Sequence, residues 1–240
     1  MPTQPPTMPR SGPVSEVEAQ ALIARAEAFA ENVVARGAPQ WEHDRQWPGE
    51  ALAAAAALGL NRIQVPAEQG GYDLPYTVKM RIVEVFARHD MAFAFAWVNA
   101  HNATARLARD GTPAQRERWL PGLLAGTSVG TVCLTEPGAG SDFPAITTRA
   151  RRNGDGWVLD GAKAWATNAA GADHAVVYAQ TDPSAGYKGI AGFLVDLHAP
   201  GVTDRHVEPL VGGHAIGAGG FRLEGVELDA DALFYPPGEA

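Results

Sequence analysis

The sequence predicts an α+β protein in which an amino-terminal helical bundle precedes an antiparallel β-barrel or sandwich. Up to about residue 127, apolar residues recur at the three- and four-residue spacing of amphipathic helices. From residue 128 onward the chain changes to short β-rich runs that are separated by turn residues and have no helices between them. We therefore predict a tail at residues 1–13, a helical domain at 14–127 and a β domain at 128–240.

The amino-terminal residues 1–13 are rich in proline and carry Arg10 as their only charge. This composition lacks the apolar centre of a signal peptide and predicts a disordered tail. A first helix should begin at the capping-box pattern Ser15–Glu18, because apolar residues follow it at helical spacing as far as Val33. Further helices are predicted from near Pro48 to Gly59, after Pro75 with Met80, Val83 and Phe86, over Met91–Arg109, and after the second capping box Thr112–Gln115.

The β domain should begin with the apolar run Val129–Leu134. The turn Asn153–Gly156 predicts a hairpin between two of the strands that follow. These later strands are predicted at Ala145–Arg152, Gly156–Leu159, Ala162–Thr167, Ala175–Gln180 and Ile190–Leu197.

Composition excludes several classes of protein. The net charge is −8, and the 19 Lys and Arg residues are scattered, whereas a nucleic-acid surface needs them clustered. No apolar run approaches the ~20 residues that cross a bilayer. The single cysteine, Cys133, excludes an intrachain disulfide and fits a reducing cytoplasm, and its place in a strand predicts a buried, inert thiol. No zinc-type cluster is present, so no metal site is predicted.

A glycine-rich turn follows the first predicted strand. Gly138 and Gly140 can adopt positive φ and let backbone N–H groups converge on an anion, and Ser141 adds a hydroxyl donor. Such a turn can hold a pyrophosphate. It is not the dinucleotide-binding fingerprint, because Phe143 stands where a third glycine is needed.

A second short signature, Trp165–Asn168, completes the pattern. Thr135 and Thr167 each combine a hydroxyl with a backbone N–H, which suits a ring edge that both donates and accepts hydrogen bonds. Trp165 offers a flat apolar face for stacking. Each residue alone has an ordinary structural explanation, but the ordered combination predicts a flavin platform.

These residues resemble the acyl-CoA dehydrogenase family, whose middle domain carries a T-E-P-x-A-G-S-D loop and a W-x-T-N strand at this separation. The resemblance also includes Gly111–Gln115, Arg118–Pro121 and the glycine-rich region Leu58–Tyr72, and it covers the chain from about Ser15. It implies FAD as the cofactor and α,β-desaturation of an acyl-CoA or acyl-carrier-protein thioester as the reaction.

The resemblance further implies seven cofactor-binding residues. Val132, Leu134 and Thr135 would contact the isoalloxazine, with Thr135 at its pyrimidine edge. Gly140 and Ser141 would lie against the FAD phosphates. Trp165 would lie at the flank of the ring, and Thr167 would lie at its N5 atom. Ser141 would also lie near the acyl-CoA. On helix Met91–Arg109, Asn99 and His101 are open to two interpretations, a substrate contact or an ordinary structural role.

Family members continue beyond a segment like Leu233–Ala240 into a third, helical domain that ordinarily carries the catalytic carboxylate. No acidic residue here matches that base, since Glu136 and Asp142 belong to the cofactor loop. We expect a partner polypeptide to supply the base within an oligomer. A non-catalytic scaffold subunit, a fragment of an ordinary dehydrogenase, and a related flavin oxidase or monooxygenase remain as alternatives.

The segment Val211–Gly220 departs from the family's L-G-x-R-x-S-x-T pattern, because the arginine and the hydroxyl residues are missing. Contacts that those side chains support are therefore in doubt. The glycine density of the segment predicts local mobility.

Overall fold

The computed structural model describes residues 16–239, so the predicted tail at residues 1–13 lies outside the described residues. The chain forms two compact units that interleave along the sequence. The helical unit contains the described residues up to Gly111 together with Arg116–Ser128 and Leu210–Ile216. The β unit contains Thr112–Gln115, Val129–Pro209 and the residues from Gly217 onward.

The helices are α1 (Glu16–Phe29), α2 (Ala35–His43), α3 (Gly49–Ala57), α4 (Tyr76–Ala87), α5 (Met91–Asp110) and α6 (Pro113–Ala125). A turn of π-helix, Ala30–Val34, joins α1 to α2. The helical core is aromatic: the ring of Phe86 meets Phe29, Phe93 and Trp97 at centroid distances of 5.9, 5.3 and 5.1 Å. Each such pair contributes about 0.5–1.5 kcal/mol beyond the burial of its apolar area.

The predicted helices are present with two differences. α2 was not predicted separately, because Gly37 and Pro39 are poor helix formers that hide its continuation from α1. On α4, the buried face is formed by Lys79, Ile82, Val85 and Phe86, so Met80 and Val83 are only partly buried. The proposed cap at Ser15 lies outside the described residues.

The second capping box is confirmed. Thr112 donates its backbone N–H to Gln115 Oε1 at 2.9 Å, and Gln115 donates its backbone N–H to Thr112 Oγ1 at 3.2 Å. Two orphan donors are thereby satisfied at the start of α6. The Gln115 amide also donates to the carbonyls of Asp231 and Leu233 at 2.7 and 3.0 Å.

The β unit contains one eight-stranded sheet, which confirms the α+β class. Its strands are β1 (Gly130–Cys133), β2 (Arg149–Asn153), β3 (Gly156–Ala166), β4 (His174–Gln180), β5 (Ile190–Asp196), β6 (Val202–Val207), β7 (Gly219–Leu228) and β8 (Leu233–Tyr235). The order across the sheet is β6-β7-β3-β2-β4-β5-β8, and β1 also pairs with β4. The sheet is mixed, because β4 runs parallel to β1 and β2, while the other pairs are antiparallel.

Several strand predictions need correction. Gly156–Leu159 and Ala162–Thr167 were predicted as separate strands but belong to the single strand β3. The strand predicted from Ala145 begins only at Arg149, because Phe143–Ala145 forms a 3₁₀ turn that contains Pro144. The strands β6, β7 and β8 were not predicted. The hairpin between β2 and β3 is confirmed, and Gly154 has φ of +57° at its turn.

We expect Gly161→Ala to destabilise the chain by at least about 2 kcal/mol. Gly161 has φ of +155°, and an added Cβ would lie 2.7 Å from the Thr148 Cα. The control is Gly154→Ala, where φ is also positive but no atom lies within 4 Å of the added Cβ, so it should lose only about 1–2 kcal/mol. Urea unfolding measures both, and equal losses would show that the close approach at Gly161 has no energetic weight.

Candidate functional site

The structure brings the two sequence signatures side by side within the β unit. The Thr131 hydroxyl on β1 donates to the Thr167 carbonyl at 2.6 Å. The Ala164 backbone N–H on β3 donates to the Thr135 carbonyl at 3.0 Å. The end of β3 therefore runs along the segment that follows β1, and residues more than 25 positions apart form one surface.

A buried ion pair holds these segments together. Lys163 Nζ lies 2.8 Å from Glu136 Oε1, and the two side chains are 0% and 2% exposed. Lys163 also donates to the Leu134 carbonyl at 3.2 Å. On its other side, Glu136 accepts hydrogen bonds from the Thr147 N–H and hydroxyl at 2.6 and 2.7 Å, and from the Thr148 N–H at 3.0 Å.

Glu136 is therefore a structural anion. Burial raises the pKa of its carboxyl, but the Lys163 charge and the hydrogen bonds from Lys163, Thr148 and Thr147 outweigh burial and set the pKa to about 2. Sequence reasoning placed Glu136 in the cofactor loop but missed its partner. The signal was present, because Lys163 is a lone charge between Ala162 and Ala164 in an otherwise apolar stretch of strand.

The glycine-rich turn closes on itself. Glu136 donates its N–H to the Ala139 carbonyl at 2.9 Å, and Ala139 donates its N–H to the Glu136 carbonyl at 3.2 Å. The expectation of positive φ at Gly138 and Gly140 is wrong, because this reciprocal pairing forms without left-handed backbone at either residue. An added Cβ at Gly138 or Gly140 would meet no atom within 4 Å, so the glycines border open space.

The rim of this turn presents hydrogen-bond donors. Within residues 16–239, the backbone N–H groups of Gly140 and Ser141 have no acceptor. Both residues are exposed. These two N–H groups and the Ser141 hydroxyl are therefore available as donors to an anion beside the turn.

Trp165 lies exposed at a kink in β3. The residue is 56% exposed. Its backbone has φ of +57°, a left-handed conformation that costs a non-glycine residue about 1–2 kcal/mol. The pairing register between β3 and β7 shifts between Lys163 and Ala166. Such an irregularity re-aims a side chain, and here it turns the indole outward. Leu134, 40% exposed, is a second large apolar residue of the site that is open to solvent.

All seven predicted cofactor-binding residues are accessible. Leu134, Gly140, Ser141 and Trp165 are exposed, and Val132, Thr135 and Thr167 are half-buried. The residues beside them in the two segments are buried. These are Thr131, Cys133, Glu136, Lys163, Ala164, Ala166 and Asn168. The predicted residues thus line the outer side of the two segments, and the buried neighbours fix their positions.

Three other residues named in the sequence analysis, Cys133, His101 and Asn99, contact only other parts of the protein in the described structure. Cys133 is buried, as predicted, and burial raises the pKa of its thiol to about 12. His101 is fully buried in the helical unit, where burial first and then the charges of Lys79 and Arg109 lower its pKa to about 3. The imidazole is therefore neutral, and it accepts the Gln64 N–H at 3.4 Å. Asn99 donates to the Phe95 carbonyl at 2.9 Å.

The altered segment is anchored within the helical unit. Glu42 Oε2 accepts the backbone N–H groups of Gly213 and His214 at 3.0 and 3.1 Å. The hydrogen bond from the His214 backbone is the main cause of a lowered Glu42 pKa. Residues His214–Ile216 form a short 3₁₀ turn. A carboxylate from α2 thus holds a segment that lacks the expected arginine.

The described part of the chain contains neither a metal-binding cluster nor a membrane-spanning helix. No group of three or more His, Cys, Asp or Glu side chains within residues 16–239 could hold a metal ion. None of the helices described here is both long and apolar enough to cross a bilayer.

A helical unit and a mixed β unit with an exposed indole beside a glycine-rich turn are typical of the amino-terminal part of flavin-dependent dehydrogenases of acyl thioesters. Family models agree: the acyl-CoA dehydrogenase N-terminal domain matches residues 16–127, and the acyl-CoA dehydrogenase middle domain matches residues 131–226. The chain belongs to the acyl-CoA dehydrogenase family.

Curated relatives include the mitochondrial short-chain specific acyl-CoA dehydrogenase of Bos taurus, 34% identical over 88% of this chain and 51% of its own length. The glutaryl-CoA dehydrogenase of Desulfococcus multivorans is 30% identical over 92% of this chain and 58% of its own length. The solved butyryl-CoA dehydrogenase of Megasphaera elsdenii has a TM-score of 0.88 at 26% identity, covering 96% of this chain and 61% of that one. The chain thus spans about half the length of these curated relatives.

We expect Lys163→Met to destabilise the chain by about 3–5 kcal/mol, because the Glu136 carboxylate would stay buried without its counter-ion. The matched control is Arg151→Met, which breaks the exposed pair with Asp160 and should cost less than about 1 kcal/mol. Urea unfolding of both variants tests this difference. Similar losses in the two variants would mean that the buried pair carries no special weight.

Proposed function

We propose that this chain binds FAD and contributes the flavin platform for α,β-desaturation of an acyl-CoA or acyl-carrier-protein thioester. The observation that carries the proposal is the exposed, left-handed Trp165 beside the accessible Leu134, Thr135 and Thr167. A strained indole that is more than half exposed costs folding free energy and gains less from packing than a buried one. An exposed indole held in this way is expected where a flat ligand stacks against it.

The residues present fit FAD. Trp165 and Leu134 offer apolar contact to a ring, and Val132, Thr135 and Thr167 border the same surface. Gly140 and Ser141 offer two N–H groups, a hydroxyl and open space to phosphate oxygens. When bound, FAD would supply the acceptor for a hydride from the acyl β-carbon. Ser141 is the proposed contact shared with the acyl-CoA.

The base is proposed to lie outside residues 16–239, on a partner chain of a heteromeric oligomer. Desaturation requires a carboxylate that removes the α-proton from the side of the substrate opposite the hydride acceptor. Glu136 does not fit this role, because it is buried and held anionic by Lys163. We also propose that the helical domain comprises residues 14–127, that the β domain comprises residues 128–240, and that the protein is cytoplasmic.

Trp165→Ala and Ser141→Ala should each reduce the FAD content of the purified chain several-fold. The visible absorbance of bound flavin relative to protein measures this content. Tyr187→Ala and Ser184→Ala are the controls, since they remove an exposed aromatic ring and a hydroxyl elsewhere in the β unit. Flavin content that is unchanged in both site variants would overturn the assignment.

The 240-residue chain loaded with FAD should not desaturate butyryl-CoA by itself. Anaerobic bleaching of the flavin by butyryl-CoA is the measurement. Native mass spectrometry of the protein from its source should then show a second polypeptide, and adding this polypeptide should restore bleaching. Full activity of the 240-residue chain as a monomer would contradict a base on another chain.

A further inference from the structure

The buried ion pair brings its positive charge into contact with one peptide of the candidate site. The Lys163 ammonium donates to the Leu134 carbonyl at 3.2 Å and to Glu136 Oε1 at 2.8 Å. The Glu136 carboxylate is held in turn by hydrogen bonds from Thr147 and Thr148. Of the two buried charges, it is therefore the ammonium that binds the backbone of the segment after β1.

The Leu134 carbonyl and the Thr135 N–H are the two ends of the same peptide group. None of the described peptide bonds is cis, so this planar group directs its carbonyl and its N–H in opposite directions. In the part of the chain that the structure describes, neither the N–H nor the hydroxyl of Thr135 has a hydrogen-bond partner. The carbonyl end is thus tied to the buried ammonium, and the N–H end is available to a ligand.

The Leu134 carbonyl differs from the two other carbonyls that join the signatures. The Thr135 carbonyl accepts a neutral backbone N–H, and the Thr167 carbonyl accepts a neutral hydroxyl. The Leu134 carbonyl accepts from a full positive charge. Among these three peptides, Leu134–Thr135 is therefore the one that an ionised group polarises.

A hydrogen bond from an ammonium strengthens the donor at the other end of the peptide. Bonds with an ionised partner are about twice as strong as neutral ones, and linked hydrogen bonds strengthen one another by roughly 10–30%. Lys163 is 1% exposed, so water screens its charge weakly. Burial is the main effect on the pKa of Lys163 and lowers it, and the Glu136 charge counteracts this effect. The Thr135 N–H is therefore a stronger donor than an ordinary backbone N–H.

We propose that Lys163 is a positioning residue that acts through the Leu134–Thr135 peptide and raises the reduction potential of bound FAD. The inference rests on the proposed function, in which Thr135 lies at the pyrimidine edge of the flavin. Two-electron reduction adds negative charge to that edge. A donor that a buried cation strengthens therefore stabilises reduced flavin more than oxidised flavin. Glu136 carries the opposite charge and limits the increase.

The first test needs no flavin. In amide-resolved NMR spectra of the 240-residue chain, the Thr135 amide proton should move upfield in Lys163→Met, because its peptide loses the charge-assisted bond. Lys163→Met combined with Glu136→Gln leaves no unpaired buried charge, so it should fold and show the same movement. Arg151→Met breaks an exposed ion pair between β2 and β3 and should leave the signal unchanged. A Thr135 signal that does not respond to Lys163 would overturn the proposal.

The second test measures the reduction potential of FAD bound to the chain. The double variant Lys163→Met and Glu136→Gln should weaken the binding of reduced relative to oxidised flavin at least ~3-fold, which lowers a two-electron potential by about 14 mV. Glu136→Gln alone leaves the ammonium with two oxygen acceptors and removes the negative charge, so it should raise the potential by a similar amount. Arg151→Met should leave the potential unchanged.

The opposite signs separate an electrostatic role from a merely structural one, because damage to the platform would move the potential in one direction in both variants. Equal potentials in the parent, the double variant and Glu136→Gln would overturn the role of Lys163 while FAD binding stands. Shifts of the same sign in the two variants would overturn it as well. A parent chain that binds no FAD would instead refute the proposed function, and the redox role of Lys163 with it.

Discussion

The candidate site depends on the buried ion pair between Glu136 and Lys163. Two charges removed from water cost several kcal/mol each, and only dense hydrogen bonding offsets that cost. Here the carboxylate accepts three hydrogen bonds from Thr147 and Thr148 in addition to the ammonium, and the ammonium also reaches the Leu134 carbonyl. Because these bonds are directional, they fix where the turn after β1 lies relative to β3. A purely apolar contact would not set that register so tightly.

The conformation of Trp165 follows from this constraint. A left-handed tryptophan persists only where its neighbours determine the backbone, and these neighbours are well fixed. Lys163 is locked by Glu136, Ala164 is bonded to the Thr135 carbonyl, and Thr167 accepts the Thr131 hydroxyl. The strained residue is thus held on both sides by bonds to the other signature. The same bonds that align the two signatures therefore also fix the backbone on both sides of the exposed indole.

Sequence reasoning succeeded where the determinants are local. The capping box at Thr112 and the hairpin at Gly154 depend on a few adjacent residues, and both were predicted correctly. The parallel pairing of β1 with β4 joins residues about 44 positions apart, and no local pattern encodes it. β7 was missed because its first residues, Gly219 and Gly220, are poor strand formers, and each closely approaches a neighbouring strand. The ion pair was missed because a charged residue in a strand usually faces solvent, whereas Lys163 and Glu136 are both buried.

The two buried lysines allow a comparison within one chain. Lys163 and Lys79 are both almost inaccessible, 1% and 3% exposed, so each charge loses most of its hydration. For Lys163 the loss is offset by a carboxylate at 2.8 Å, and the pair organises the site around it. For Lys79 the nearest acceptor is a neutral amide at 2.9 Å, so the same loss is only partly offset. A methionine would fill similar volume on α4 without that cost. Burial alone therefore does not decide what a lysine contributes to this fold, because the partner that its ammonium meets decides how much of the lost hydration is replaced.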